Sequence, residues 1–184
     1  MVFVRSAGKI EKSETHAKPP NKIIWNLVIK MEATKKRALK ILGNRNFSEQ
    51  EMLKRLVSKG EAQVDAEETV RWLVELGYIN DSDYASLIVN HYIAKGYGLA
   101  RIRDELYKRG IPRDMWDDKL DELADDDLLD TALEFLRKKL RGSQDKDDLR
   151  RASDALVRRG FSYNDAKSAI NRYIEDLENP EVDF

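Results

Sequence analysis

Apolar residues recur along most of this chain at the three- and four-residue spacing that places them on one face of a helix. Alternation of the kind that strands show is nearly absent after residue 30. The pattern therefore predicts an all-α protein, with residues 23–31 open between a short strand and a helical turn. The clearest stripes are Met52, Leu53, Leu56 and Val57, then Leu129, Ala132, Leu133, Leu136 and Leu140, then Ala166, Ala169, Ile170, Tyr173, Ile174 and Leu177.

Three of the predicted helices end in the same way, 50 residues apart. Each has a leucine four residues before a glycine and a cation immediately before it. A cation in the last turn meets the negative end of the helix dipole, and glycine adopts the left-handed conformation without a Cβ clash. The matched sets are Leu56, Leu106 and Leu156, then Lys59, Arg109 and Arg159, then Gly60, Gly110 and Gly160.

The repeat extends on both sides of these helices. A first helix is predicted at about 33–43, 82–95 and 127–141, and Ser48 with Glu51 forms a capping box for the helix that follows. A third helix begins after each glycine, at Val64–Asp65, Ile111–Pro112 and Phe161–Ser162, with Asp65 and Ser162 as N-caps and Pro112 in the first turn. A single three-helix unit buries little core, so the units are expected to stack.

The predicted architecture is three tandem three-helix repeats stacked into an elongated curved rod. The repeats span 32–80, 81–125 and 126–179. A largely flexible extension, 1–31, precedes them, and a short tail, 180–184, follows. Glycines expected in turns are Gly60, Gly77, Gly96, Gly98, Gly110 and Gly160.

Composition removes several classes of function. The 184 residues include no cysteine, which excludes disulfides, zinc–thiolate sites and a cysteine nucleophile. Lys and Arg number 33 against 34 Asp and Glu, so the formal net charge of −1 argues against a dedicated nucleic-acid binder. The longest largely apolar stretch, Ile23–Ile29, is too short to span a bilayer, and the first residues lack the apolar run of a signal peptide. A cytoplasmic protein is expected.

No catalytic constellation is evident, and neither a cofactor nor a metal is predicted. Gly96-Tyr97-Gly98 is interpreted as a turn between helices rather than a phosphate-binding loop, because no strand precedes it. Asp125, Asp126, Asp127 and Asp130 are interpreted as the acidic start of a helix, and a hydrolase using them is retained as a minor alternative. His91 is expected to be packed or half-buried. Most aromatic side chains should be in the core, namely Trp72, Tyr107, Trp116, Phe161 and Tyr163, with Tyr78 and Tyr84 packing the junction between repeats.

Surface charge is the remaining candidate for function. Because the repeat register places equivalent cations on successive units, a stacked row of them would form a cationic ridge suited to an acidic protein groove or a phosphate backbone. Compensation of helix dipoles and ordinary solvation is the alternative explanation. Candidate partner-binding residues are Lys54, Arg55, Lys59, Arg101, Arg103, Lys108, Arg109, Arg158 and Arg159.

Several ordered motifs resemble those of the RecX family, regulators of the bacterial RecA recombinase. They cover about 37–178, and Ala100 stands where that family often has proline. The resemblance implies three tandem three-helix repeats and a non-enzymatic monomer. It also implies binding to the RecA–DNA filament that limits filament growth, ATPase activity and strand exchange. The motifs are Arg37–Leu42, Ser48–Leu53, Gly77-Tyr78-Ile79-Asn80-Asp81 with Tyr84-Ala85, Lys95–Ile102, Glu105-Leu106 and Lys108–Ile111.

A stand-alone nucleic-acid-binding helical module is the alternative, since three-helix units can resemble helix-turn-helix folds. Its ligand would be single- or double-stranded DNA, and the basic N-terminal extension, with eight cations and three carboxylates in residues 1–36, could contribute. Against it, the third helix of the second repeat would present a row of carboxylates to a polyanion. These are Asp114, Asp117, Asp118, Asp121 and Glu122.

Overall fold

The computed structural model describes residues 22–43, 45–123 and 125–179. Within these ranges the chain forms nine α-helices and one 3₁₀ turn, and no strand is present, so the predicted all-α repeat fold is confirmed. The first 21 residues of the predicted flexible extension and the tail at 180–184 lie outside the described residues. The helices are α1 Lys22–Leu42, α2 Glu49–Ser58, α3 Gln63–Glu75, α4 Asp81–Ala94, α5 Leu99–Lys108, α6 Asp117–Asp121, α7 Asp125–Leu140, α8 Lys146–Arg158 and α9 Tyr163–Glu178, with the 3₁₀ turn at Arg113–Met115.

Each repeat of three helices has an apolar core of its own. In repeat 1 (α1–α3) the core is built around Met52, Leu56 and Leu73. The corresponding clusters enclose Ile102, Leu106 and Trp116 in repeat 2 (α4–α6), and Leu136, Leu156 and Tyr173 in repeat 3 (α7–α9). Each of these clusters lies within one repeat, so most of the stabilisation from apolar burial is internal to the repeats.

The three matched glycines end their helices in the left-handed conformation. Gly60, Gly110 and Gly160 have φ values of 90°, 69° and 93°. The N–H of the residue after each glycine donates to the carbonyl of the leucine four residues before the glycine, at 3.2 Å in all three turns. This is the hydrogen bonding of a left-handed helix terminus, and it explains why glycine recurs at this position.

The predicted N-cap of α3, Asp65, is wrong by three residues. Helix α3 begins at Gln63 with Ala62 as its N-cap, two residues after the glycine, which is where Pro112 and Ser162 also stand. Glu61 consequently occupies the place of Ile111 and Phe161, which concealed the match in the apolar pattern. Glu61 is buried, accepts a 2.7 Å hydrogen bond from the hydroxyl of Thr34, and forms an ion pair with Arg37. Both partners lie on α1, so this charge fastens α1 to the start of α3.

Two further helices differ from the prediction. Helix α1 begins at Lys22, so the open segment 23–31 is helical and α1 crosses the predicted repeat boundary. The third helix of repeat 2 is interrupted at Trp116, whose φ is −141° and whose buried indole N–H donates to the Ile111 carbonyl at 3.1 Å. Carboxylates at 114, 117, 118 and 121 stand three and four residues apart, where like charges weaken a continuous helix.

The capping boxes at Ser48 and Ser162 are both present, and the first was predicted as such.

The aromatic and histidine predictions are partly wrong. Trp116 and Phe161 are buried as expected, but Tyr107 and Tyr163 are 79% and 72% exposed, and His91 is also exposed. Tyr107 lies three residues before its glycine, on the opposite side of α5 from the buried positions 102 and 106. Its ring therefore faces solvent.

Among the described helices, none combines the length and the apolar character that a bilayer crossing requires.

Candidate partner-binding surface

Arg109 lies in the junction between repeats 1 and 2. Its guanidinium Nη1 donates to the Tyr84 hydroxyl at 2.7 Å and lies 3.5 Å from Oε1 of Glu51, and its carbonyl accepts a hydrogen bond from the Ser48 hydroxyl. Burial and the nearby Glu51 carboxylate raise the pKa of Tyr84 above its usual value. The junction is therefore polar, and Tyr84 packs it as predicted, whereas Tyr78 is 59% exposed.

A buried carboxylate completes the first junction. Asp81, the first residue of α4, accepts a 3.0 Å hydrogen bond from the backbone N–H of Glu49 at the start of α2. Burial raises the pKa of Asp81; the hydrogen bond from Glu49 opposes the rise, and the charges of Glu49 and Glu51 add to it. Asp81 thus links repeat 2 to repeat 1, and its pKa lies above the usual value of an aspartate.

Arg159 lies in the junction between repeats 2 and 3. Its Nη1 donates to the carbonyls of Lys95 and Gly96 at 2.9 and 3.2 Å, and its guanidinium lies 4.4 Å from the ring centre of Phe135 and 5.0 Å from that of Tyr97. Cations over aromatic faces are attracted by the ring quadrupole. Arg159 thereby fastens the end of α8 to the turn that follows α4.

The backbones of repeats 2 and 3 also touch directly. The Gly98 N–H donates to the Arg159 carbonyl at 3.0 Å, and the Ala100 N–H donates to the Gly160 carbonyl at 3.1 Å. A Cβ at Gly98 would lie 2.4 Å from the nitrogen of Phe161, and one at Gly160 would lie 2.4 Å from the nitrogen of Arg101. Proline at position 100 could not make the second hydrogen bond, since it has no N–H.

Two of the three matched cations, Arg109 and Arg159, are therefore bound to groups of this chain, while Lys59 is exposed at the end of α2. Three other predicted residues are dispersed; Arg55 and Arg158 are exposed, and Arg101 is half-buried. Arg55 lies on the outer side of α2 and Arg158 at the end of α8. Arg101 lies in the first turn of α5, where it pairs with Glu105 at 3.0 Å.

Lys54, Arg103 and Lys108 are brought together by the structure. They line an open groove of about 1160 Å³ at the contact between repeats 1 and 2, with Tyr107 and Arg113 beside them. We call these five residues the cation-lined groove. The sequence did not single out Arg113 or the exposure of Tyr107. The signal available in the sequence for Tyr107 was its position in the repeat, which it shares with Val57 and Val157. The structure shows that these two valines are also exposed, at 38% and 44%.

The cations of this groove form only exposed ion pairs with nearby carboxylates. Lys108 pairs with Asp104 at 2.6 Å and Arg113 with Asp117 at 2.8 Å, each within one helical turn or its extension, and Arg103 is 3.8 Å from Asp121. Exposed ion pairs of this kind contribute about 0–1 kcal/mol. A partner with well-placed anions can therefore displace the internal carboxylates at small cost.

No group of His, Cys, Asp or Glu in the described part of the chain could hold a metal ion. The Gly96-Tyr97-Gly98 segment is a turn between α4 and α5, as predicted, with Gly96 at φ 75°. Gly77, at φ 72°, likewise ends α3 in a turn. Helix α7 begins at Asp125, as expected for an acidic helix start.

Comparison with known proteins decides the family. Residues 80–120 match the model of the second three-helix domain of RecX, and residues 125–170 match that of the third. A "Regulatory protein RecX" of Xanthomonas axonopodis pv. citri is 31% identical over 143 residues, which are 76% of this chain and 87% of that protein. The chain belongs to the RecX family. A RecX-family relative from Vibrio campbellii is 27% identical over 146 residues, covering 78% of this chain and 94% of the relative.

Solved structures of RecX proteins show the same fold. A crystal structure of RecX from Lactobacillus salivarius matches 80% of this chain and 99% of that one, with a TM-score of 0.70 at 21% identity. A second, a crystal structure of regulatory protein RecX, covers 84% of this chain and 80% of that one, with a TM-score of 0.72 at 20% identity. At these identities the likeness concerns the fold.

Proposed function

We propose that this chain is a cytoplasmic regulator that binds the RecA–DNA filament and limits filament extension, ATPase activity and recombination, without catalysing a reaction. The observation that carries the proposal is membership of a family whose relatives are named regulatory proteins. The motifs at Gly77–Asp81 and Lys95–Ile102, which resemble those of RecA regulators, support the choice of RecA as the partner. DNA repair and the SOS response are the processes that such a regulator would affect.

The proposed mechanism is steric and electrostatic. Repeats joined in a row would lie along the filament and bridge neighbouring RecA protomers. The cation-lined groove supplies Lys54, Arg103 and Lys108 within one small area, and acidic protein surface or DNA phosphate is the complementary partner. Arg109 and Arg159 would then act indirectly, by fixing the angle between repeats, because their side chains are bound within the chain.

The test is a RecA ATPase assay on single-stranded DNA with this protein added in increasing amounts. We expect inhibition well below one molecule per RecA, because a filament-level regulator affects many protomers at once. Full ATPase activity at equimolar protein, with folded protein and RecA from the same source, would contradict the proposal.

The groove is tested by the triple variant K54A/R103A/K108A. A matched control, K138A/K139A/R150A, removes the same charge from exposed positions on α7 and α8. We expect the groove variant to need several-fold more protein for half-inhibition and the control to behave as the parent protein. Equal loss in both variants would show that only net charge matters, and the groove would be the wrong site.

Direct nucleic-acid binding is a second candidate, and the exposed ring of Tyr107 beside Lys108 favours it. Bases stack on exposed aromatic rings that stand beside cations. This function predicts binding to single-stranded DNA without RecA, with steep salt dependence and a loss in Y107A that Y107F restores. Salt-insensitive or undetectable binding, together with inhibition of RecA, leaves the filament as the partner.

A further inference from the structure

A second groove adjoins the cation-lined groove at the contact between repeats 1 and 2. Gln50, Gly110 and Pro112 line both grooves, so the start of α2 and the turn after α5 form a wall between them. The second groove has a volume of about 430 Å³, which is within the size range of ligand pockets. We call it the acid-lined groove and define it by its three carboxylates, which are Glu49, Glu67 and Asp81.

Asp81 is the buried member of this set. Its side chain belongs to a residue that is 5% exposed, and in the described residues only Oδ1 has a hydrogen-bond partner, the backbone N–H of Glu49 at 3.0 Å. Oδ2 is therefore available to accept a hydrogen bond from a ligand. Burial and the charges of Glu49 and Glu51 raise the pKa of Asp81, so a positive charge beside it would remove an electrostatic cost.

Negative charge is in excess in this groove. Glu49 and Glu67 are exposed, and the Glu67 carboxylate accepts a 2.6 Å hydrogen bond from the neutral Gln63 side chain, which leaves its charge unbalanced. The one cation among the lining residues is Arg71, which is exposed and forms no ion pair within the described part of the chain. The three carboxylates do not form a group that could hold a metal ion. A cleft lined by one sign of charge attracts the opposite sign, so the groove favours an organic cation.

Aliphatic side chains provide the rest of the lining. Val70 is buried, Leu53 is half-buried, and Val74 is 36% exposed. Arginine and lysine place their methylene stems along apolar surface while the charged head reaches a polar group. A groove with an apolar lining and a buried carboxylate therefore fits a basic side chain that has apolar residues beside it.

We propose that the acid-lined groove binds a segment of a partner protein in which an arginine or lysine has aliphatic neighbours. Nucleic acid is a poor occupant, because its phosphates would meet three carboxylates. A protein surface that lies across the shared wall would meet carboxylates in one groove and cations in the other, so the complementary partner carries charges of both signs. The proposal goes beyond the proposed function and does not require that this partner be RecA.

Binding in this groove also bears on the first junction. Its lining comes from both repeats, with Glu49 to Val74 in repeat 1 and Asp81, Gly110 and Pro112 in repeat 2. A segment bound between them would contact both repeats at once. It would thereby hold the two repeats at one angle.

Titration with short peptides, followed by NMR, tests the proposal. The probe is the tripeptide Val-Arg-Val, acetylated and amidated at its ends and added in millimolar amounts to the ¹⁵N-labelled full chain. We expect saturable shifts in the backbone amides of 49–53, 67–74 and 81, which are the segments that line the groove. Val-Gln-Val, which lacks the charge, and Gly-Arg-Gly, which lacks the aliphatic neighbours, should each bind several-fold more weakly. Equal shifts with the neutral peptide, or no saturable shift in the groove, would overturn the proposal.

The variant E67Q/D81N removes two of the three negative charges. The amide introduced at 81 can still accept from the Glu49 N–H, so the junction should remain folded. A matched control, E68Q/E75Q, removes the same charge from exposed positions of α3 that do not line the groove. We expect the dissociation constant of the Val-Arg-Val peptide to rise several-fold in the first variant and to stay unchanged in the second. Equal weakening in both would show that only net charge matters, and the groove would be the wrong site.

The single variant E67Q separates loss of charge from loss of structure. Glu67 is exposed, so its replacement leaves the buried Asp81 contact intact. E67Q should still weaken binding, by less than the double variant. Binding unchanged in E67Q and lost only together with Asp81 would assign the loss to the junction and refute the proposed contact.

Two other occupants would be detected without any peptide. Groove amides that shift when the protein is diluted would identify a second copy of the chain as the occupant. Groove amides that shift in the variant R5Q/K9Q would identify the basic segment at residues 1–21. Either result would overturn the assignment to a separate partner protein. None of these measurements uses RecA, so their outcome is independent of the proposed function.

Discussion

Gly98 allows the backbones of repeats 2 and 3 to touch, and a larger residue at this position should push these two backbone segments apart. Its φ of −85° suits any residue, so alanine would introduce no backbone strain. The new Cβ would stand 2.4 Å from the nitrogen of Phe161, about 1 Å closer than an ordinary contact. Moving these two backbone segments apart by that distance stretches the hydrogen bonds donated by the N–H groups of Gly98 and Ala100, now 3.0 and 3.1 Å long, beyond bonding range.

The cost follows from these two hydrogen bonds. Each contributes about 0.5–1.5 kcal/mol net, and alanine returns about 0.4–1 kcal/mol by restricting the unfolded chain. We therefore expect G98A to lower the free energy of unfolding by about 1–2 kcal/mol, the difference between these two effects. The loss should fall on the contact of repeat 3, while the cores of all three repeats remain intact.

Three other glycines provide matched controls. At Gly43 a Cβ would make ordinary contacts of 3.7 and 3.9 Å, so G43A should be neutral or stabilising. At Gly60 the space is open but φ is 90°, so G60A should lose about 1–2 kcal/mol through left-handed strain alone. Gly160 combines φ 93° with a 2.4 Å approach to Arg101, so the loss in G160A should approach the sum of those in G60A and G98A.

The assay is urea unfolding followed by circular dichroism and by tryptophan fluorescence. The tryptophans are Trp25, Trp72 and Trp116, so fluorescence reports on repeats 1 and 2 and circular dichroism on all three. In G98A we expect part of the circular dichroism change to precede the fluorescence change. If G98A unfolds like G43A, with coincident transitions and no loss of stability, the junction does not hold repeat 3 and the reasoning is refuted.

Three further predictions concern the polar residues at the junctions and the buried charge of repeat 1. S48A should cost about 1 kcal/mol more than S162A in urea unfolding, because both remove a capping box and only the first removes a bond to the next repeat; equal losses would contradict this role. E61A should destabilise by about 1–3 kcal/mol by leaving its partners on α1 unpaired, and E61I should recover part of that, since isoleucine and phenylalanine fill this place in the other repeats; an E61I variant no better than E61A would show that shape does not compensate. The raised pKa of Asp81 means that the folded state binds its proton more tightly, so this group favours folding as the pH falls through its raised pKa toward 3.8 and disfavours it above. D81N, which can still accept from Glu49, should therefore gain stability relative to the parent protein at pH 7 and lose that advantage near pH 4; a pH-independent difference would exclude this assignment.

The repeat could be predicted from sequence because its signals are local. A left-handed glycine, a terminal cation and a capping box each act within one helical turn, and Gly60, Gly110, Gly160, Ser48 and Glu51 stand where those signals placed them. The start of α3 was misplaced because Glu61 fills an apolar position. A buried charge is acceptable only with a partner, and its partners lie about 25 residues away on α1.

The candidate site was harder to predict for the same physical reason. Recurrence places cations at equivalent positions but does not say which group each one meets. Arg109 and Arg159 bind neighbouring repeats, and that depends on tertiary contacts across 58 and 64 residues of sequence. Tyr107 was expected in the core together with most of the other aromatic residues, yet its place in the helix register points to solvent.

Separate cores have a mechanical consequence. When a joint between two of these repeats bends, it exchanges hydrogen bonds and ion pairs for contacts with water, and none of the three apolar cores of the described residues has to open. Each exchanged hydrogen bond costs only about 0.5–1.5 kcal/mol, whereas shearing a continuous core would cost far more. A change in the angle between two repeats would therefore break the contacts of Arg109 or Arg159 before it disturbed any of the three cores.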